Sequence, residues 1–172
     1  ASTGLTSGTT YGTFTLSSSK AISVTGSAAT LANAGVTAGT YATQTAYAAT
    51  SSGTATAFTA GDFTINGVNV GASLATSDTF STTSNATSAI AKTAAINAIS
   101  GLTGVTATAN ATTDSGAAMT LAAGSGTFTI NGVTTGTVSI GGTDATADRA
   151  AVIKAINAVS GRTGVTAVDG GT

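Results

Sequence analysis

The sequence predicts an α+β, β-rich fold made of two repeated small units, and three observations carry that prediction. The run Phe63-Thr64-Ile65-Asn66-Gly67-Val68 returns unchanged as Phe128-Thr129-Ile130-Asn131-Gly132-Val133. Downstream, Ala95 to Ala107 (AINAISGLTGVTA) returns as Ala155 to Ala167 (AINAVSGRTGVTA), with changes only at Ile99/Val159 and Leu102/Arg162. The two pairs lie 65 and 60 residues apart, so the second copy is five residues shorter in its middle. Repeats of this size mark one supersecondary unit used more than once. Here the repeated unit reads as a β-hairpin, one helix and one or two closing strands, and it carries no reactive side chain.

Taken in order, the chain opens with two short strands, Thr13–Leu16 and Ala21–Val24, joined by a polar Ser17–Lys20 link. An Ala- and Gly-rich turn region follows through Gly39. Thr40 to Ala48 alternates, with Tyr41, Thr43, Thr45 and Tyr47 on one face, which favours a strand. Ser51-Ser52-Gly53 reads as a loop and a boundary. Phe63-Thr64-Ile65 then forms a strand, and Asn66-Gly67 turns it, because a type I′ turn needs positive φ at both central positions. Val68 and Val70 start the return strand. A polar stretch, Ser73 to Ser84, leads to a helix from about Ala86 to Ile99.

In the second copy Val152, Ile153, Ile156 and Val159 share one face of a helix over Ala145–Val159. Asp144 or Thr146 caps its start, and Asp148 sits in the first turn, where the dipole favours an anion. Ser160-Gly161 and Ser100-Gly101 end the two helices, with Gly as the left-handed residue. Thr103–Ala107 and Thr163–Ala167 read as strands, and Ala118–Leu121 as a closing strand of the first unit. The expected organisation is a β-rich segment 1–56, a first unit 57–122 and a second unit 123–172 that stops before its closing strand. The N-terminal strands look like such a closing pair, and they are expected to complete a sheet elsewhere in the fold.

Composition sets limits on function. Leu, Ile, Val and Phe number 31 of 172 residues, about 18%, which is low for a globular core. A net charge of −1 gives little self-repulsion, so the chain reads as folded but thinly packed. Lys20, Lys92, Arg149, Lys154 and Arg162 are scattered, without the clustering that phosphate backbones demand. No apolar run is long enough to span a bilayer, and no signal peptide is evident. The first residue is Ala1 rather than Met, in keeping with a piece of a longer protein.

Cys, His, Trp, Pro and Glu are all missing, so disulfides, thiolate metal sites and histidine bases are excluded. The six carboxylates, Asp62, Asp78, Asp114, Asp144, Asp148 and Asp169, sit in turn-forming surroundings or at a helix start, where capping explains them. Asp144 and Asp148 are four apart and could share a helix face as a pair, but capping is the better account. No calcium array is present. Gly141-Gly142 precedes a helix, as a phosphate cradle would, yet the P-loop Lys and the dinucleotide fingerprint are lacking. Asn85-Ala86-Thr87 and Asn110-Ala111-Thr112 match the N-glycosylation pattern, which recurs by chance in an Asn- and Thr-rich chain. No catalytic, cofactor-binding or metal residue is therefore expected.

The repeated residues resemble a known family. F-T-I-N-G-V, a helix ending in I-N-A-x-S-G, then T-G-V-T-A is similar to the flagellin hook IN motif, found in the variable outer region of bacterial flagellins and in hook-associated and filament-cap proteins. Two copies would cover roughly 57–122 and 123–168. Phe14-Thr15-Leu16, Ala21–Val24 and Leu31–Gly39 also resemble the stretch that follows the motif in flagellins. The long terminal helices that form a filament core are not found in this sequence.

The resemblance implies a non-catalytic, secreted, surface-exposed outer domain of a flagellar filament subunit. Its partners would be other flagellin subunits, through core helices, and host or antibody surfaces, with no nucleic acid and no membrane insertion. Lack of Cys and Pro removes two slow folding steps, which suits a chain that folds after export. The alternatives are a hook-associated or cap protein, or a surface adhesin using Tyr11, Tyr41 and Tyr47.

Overall fold

The computed structural model describes residues 5, 8, 12–42, 47–49 (backbone only) and 56–171. It is α+β, with four small antiparallel sheets and five short helices among those residues. The chain condenses into two compact bodies, Thr10–Thr112 and Thr113–Thr172 with Ala1–Thr9.

In the body Thr10–Thr112, β1 (Phe14–Ser17) pairs on one side with β4 (Tyr47–Ala49) and on the other with β7 (Thr106–Ala109). A second sheet runs in the order β3 (Gly39–Tyr41), β2 (Ile22–Gly26), β5 (Phe63–Ile65), β6 (Val68–Asn69). The N-terminal strands thus pair with both ends of the first copy, Phe14 opposite Ala109 and Val24 opposite Ile65. Alternation explains the choice. Phe14, Leu16, Ile22 and Val24 are all fully buried, while Thr15, Ser23 and Thr25 face away. Phe58 sits edge-on to both Phe14 and Phe63, with ring centroids 6.4 and 5.1 Å away.

The stretch after β2, expected to be turns, holds helix α1 (Ala28–Ala34). Ser27 caps it by accepting from the Thr30 amide, and Gly35 closes it at φ 73°. The expected single strand Thr40–Ala48 is two strands, β3 and β4, in different sheets. Residues 43–46 between them, Tyr11 and the boundary read at Ser51-Ser52-Gly53 lie outside the described residues. The first helix is shorter than expected. A 3-10 turn at Asn85–Thr87 precedes Ser88, whose hydroxyl accepts from the Ala91 amide and starts α2 (Ala89–Asn97).

In the body Thr113–Thr172, β8 (Gly124–Gly126) pairs with β11 (Val138–Ile140), and β9 (Thr129–Ile130) with β10 (Val133–Thr134). Helix α4 (Ala145–Ala158) lays Val152 and Ile156 on Val138 and Ile140, while Ile153 is only half-buried. Among the described residues four buried side chains make this core, against fourteen in the other body. It is correspondingly thin.

Three expectations are corrected. The glycines that stop the helices are Gly104 and Gly164, at φ 68° and 69°, not Gly101 and Gly161. The Ser100 and Ser160 hydroxyls donate to the Asn97 and Asn157 carbonyls at 2.8 Å, and the chain makes one more helical turn as α3 (Ser100–Thr103) and α5 (Ser160–Thr163). Ala118–Leu121 is not a strand: among the described residues it pairs with none, and Leu121 is exposed. Thr163–Ala167 is not one either: Thr163 ends α5, and among the described residues no strand pairs with this stretch as β1 pairs with β7 in the first copy.

Candidate functional site

The repeated positions converge on a set of asparagine clamps. At each hairpin turn the Asn takes positive φ, 49° at Asn66 and 46° at Asn131, followed by Gly67 and Gly132 at 79° and 73°. Only a short polar side chain and then Gly accept this geometry cheaply. The Asn66 amide nitrogen donates to the Thr103 carbonyl at 2.9 Å, and Asn131 donates to Thr163 at 2.8 Å. Each hairpin is thereby tied to the end of the helical segment in its own copy.

A second clamp works like one rung of a β-ladder. Asn97 accepts from the Ala107 amide at 2.8 Å and donates to the Ala107 carbonyl at 2.9 Å. Asn157 makes the same pair with Ala167, at 2.8 and 3.0 Å. Thr103 and Thr163 hydroxyls each accept, at 3.1 Å, from the amide two residues on, at Val105 and Val165. These are the residues the sequence repeats, and their bonds are structural: each satisfies a backbone group that would otherwise lose water without a partner.

The carboxylates are dispersed, each in a local setting of its own. Asp62 accepts from the Thr59 amide in a turn at 2.7 Å. Asp114 is exposed in a loop. Asp144 caps α4 through the Thr146 and Ala147 amides. Asp148, four residues on, turns away from it and is buried against the Gly141 and Gly142 amides at 2.7 and 2.9 Å. The glycine pair that resembles a phosphate cradle is thus filled by the chain's own carboxylate.

Exposed Asp169 is held below its ordinary pKa by the Gly171 amide and by half-buried Arg149 at 2.8 Å. Burial alone would push Asp78 up. The Ser81 and Ser88 hydroxyls and the Ser81 and Phe80 amides outweigh it and hold the carboxyl low. No group of three metal-binding side chains occurs among the described residues.

The asparagines of both glycosylation patterns are engaged. Asn85 donates to the Asp78 and Ser81 carbonyls at 2.8 and 2.6 Å, and Asn110 bonds Thr13 and Thr15 across the strands. Tyr41 is half-buried and packs on the core rather than presenting a groove. Among the described residues no helix is long and apolar enough to cross a membrane.

Buried Ser73 and Lys92 are among the polar side chains that escaped the sequence reading. Ser73 links the Phe58 amide to the Ala86 carbonyl, at 2.8 and 2.6 Å. Lys92 is 2% exposed, with its ammonium 5.5 Å from the centre of the Phe58 ring. Burial lowers its pKa. A signal existed for Lys92, since the aligned position of the second copy is the core residue Val152.

Residues 127–171 match the family model of the flagellin hook IN motif. No match is found among curated proteins or among solved structures. The matched segment holds the Asn131 and Asn157 clamps just described. The match spans about a quarter of the chain, and it makes this segment similar to a motif named for flagellin and the hook.

Proposed function

Starting from a flagellin-related chain that carries a hook IN motif, we propose that it is a non-catalytic outer domain of a flagellar filament subunit, exposed on the filament and supporting motility. The observation that carries this reading is the match over 127–171, whose repeated asparagines are consumed in structural bonds. Residues 57–122 are a second instance of the motif on this reading, supported by the shared residues and by the same clamps at Asn66 and Asn97. The subunit partners of the filament bind elsewhere, and this domain presents surface to solvent, antibodies or host.

Immunogold labelling with antibodies against this chain tests the assignment. Gold along the whole filament is the expected result. Gold confined to the hook junction or the tip supports a hook-associated or cap protein, and gold on the cell envelope supports an adhesin; either overturns the filament reading.

A further inference from the structure

We propose that residues 111–118 are a cleavage site for an endoprotease whose specificity pocket takes a carboxylate, and that the bond cut is Asp114–Ser115. These eight residues, Ala-Thr-Thr-Asp-Ser-Gly-Ala-Ala, are all exposed and belong to no helix or strand. Among the described residues no hydrogen bond is made to or by any of them. An endoprotease binds its substrate as an added strand, so it needs successive residues whose N–H and C=O groups are free to pair with it. In helices and paired strands those groups are already used.

The run has firm ends. On one side the Asn110 amide donates to the Thr13 carbonyl at 2.8 Å, and its side chain bonds the Thr13 and Thr15 hydroxyls at 2.9 and 3.1 Å. On the other side Met119 is half-buried and packs on the core built from Val138, Ile140, Val152 and Ile156. The boundary between the two bodies falls inside the run, after Thr112. One core draws on residues 14–107 and the other on residues 119–167, so a cut here takes no side chain from either.

The side chain that the enzyme reads follows from the carboxylates. Asp62, Asp78, Asp144, Asp148 and Asp169 each accept from at least one backbone amide, and the chain has no Glu. Asp114 accepts from none among the described residues, and it is the sole charged side chain between Lys92 and Asp144. It stands fourth of the eight, which leaves Ala111–Asp114 and Ser115–Ala118 for the subsites on either side of the bond. A cation at the base of the pocket pairs with the carboxylate and sets the specificity. Hydrolysis adds one water across the peptide bond, leaving a carboxylate at the Asp114 carbonyl carbon and an ammonium on the Ser115 nitrogen.

The test treats the folded full chain with an endoprotease specific for acidic residues and follows the products by mass spectrometry. Fragments 1–114 and 115–172 are expected first. Asp114→Asn should slow that cut about a hundredfold or more, because an amide leaves the cation of the pocket unpaired, and the urea midpoint should not move. An earlier cut at any other Asp, or equal cutting of the Asp114→Asn chain, would overturn the proposal. So would resistance of the folded chain to an enzyme that cuts the unfolded chain after Asp114.

Discussion

Replacing Asn97 with Asp changes one atom's chemistry and little of its shape. Asn97 Nδ2 donates to the carbonyl of buried Ala107 at 2.9 Å, while its Oδ1 accepts from the Ala107 amide at 2.8 Å. A carboxylate keeps the second bond but turns an oxygen toward the Ala107 carbonyl. Losing the bond costs about 1 kcal/mol, and leaving the carbonyl poorly satisfied adds about 1 kcal/mol more, because Asn97 is exposed enough for water to help.

Asn97→Asp should therefore destabilise the chain by about 2 kcal/mol at neutral pH. Protonation restores a donor, so the folded state raises the pKa of the introduced carboxyl above its unfolded value. The sign follows: its stabilising form is present below the unfolded pKa and lost as pH rises through the folded one. Urea unfolding followed by circular dichroism at about pH 3.5 and 7 should show the Asn97→Asp deficit shrinking in acid, while an Asn97→Ala deficit stays constant. Equal losses at both pH values for the two variants would refute the ladder role assigned to the side chain.

Other carboxylates should rank by what they hold. Asp148→Ala strips an acceptor from two backbone amides and should cost about 2–4 kcal/mol, Asp144→Ala removes a cap and should cost about 1 kcal/mol, and Asp114→Ala should change urea stability by less than about 0.5 kcal/mol. Lys92→Met keeps the stem over Phe58 and removes a buried ammonium, so it should raise stability at pH 7 by roughly 1 kcal/mol. Because burial places the folded pKa of Lys92 below 10.5, the parent should gain stability as pH climbs from that folded value toward 10.5, and a Lys92→Met variant should lose that rise in a pH series of urea midpoints. Asp78 has its pKa depressed below 3.8, so its contribution is present above that value and disappears as pH falls through the folded pKa. Acid titration of Asp78→Asn should show a shallower loss than the parent.

Much of the local structure was legible before any coordinates. Asn-Gly at 66–67 and 131–132 can hardly do other than turn, and Asp144 ahead of an apolar-periodic run caps the helix as its position requires. The helix stops were misread because each copy offers two glycines three residues apart. The Ser hydroxyl that carries the chain past the first one acts only once the preceding carbonyl is in place. Helix α1 carried a readable cap and stop in Ser27 and Gly35, but its Ala-rich face gave little periodicity. For the candidate site, the sequence offered no reactive constellation to argue from, and it left the role of the asparagines open.

The sequence by itself determined which short elements form and in what order, because turn chemistry, capping and repetition act over a few residues. It also restricted the chemistry, through the residue types it lacks. Pairing was decided only in three dimensions. Identical hairpins end up in different settings, Phe63-Thr64-Ile65 covered by β2 and Thr129-Ile130 open at its outer edge, although their six residues are the same. Phe14, Leu16, Ile22 and Val24 find their partners far along the chain, where burial of large apolar side chains outweighs the closure of long loops. No local rule could assign those strands to one copy rather than the other.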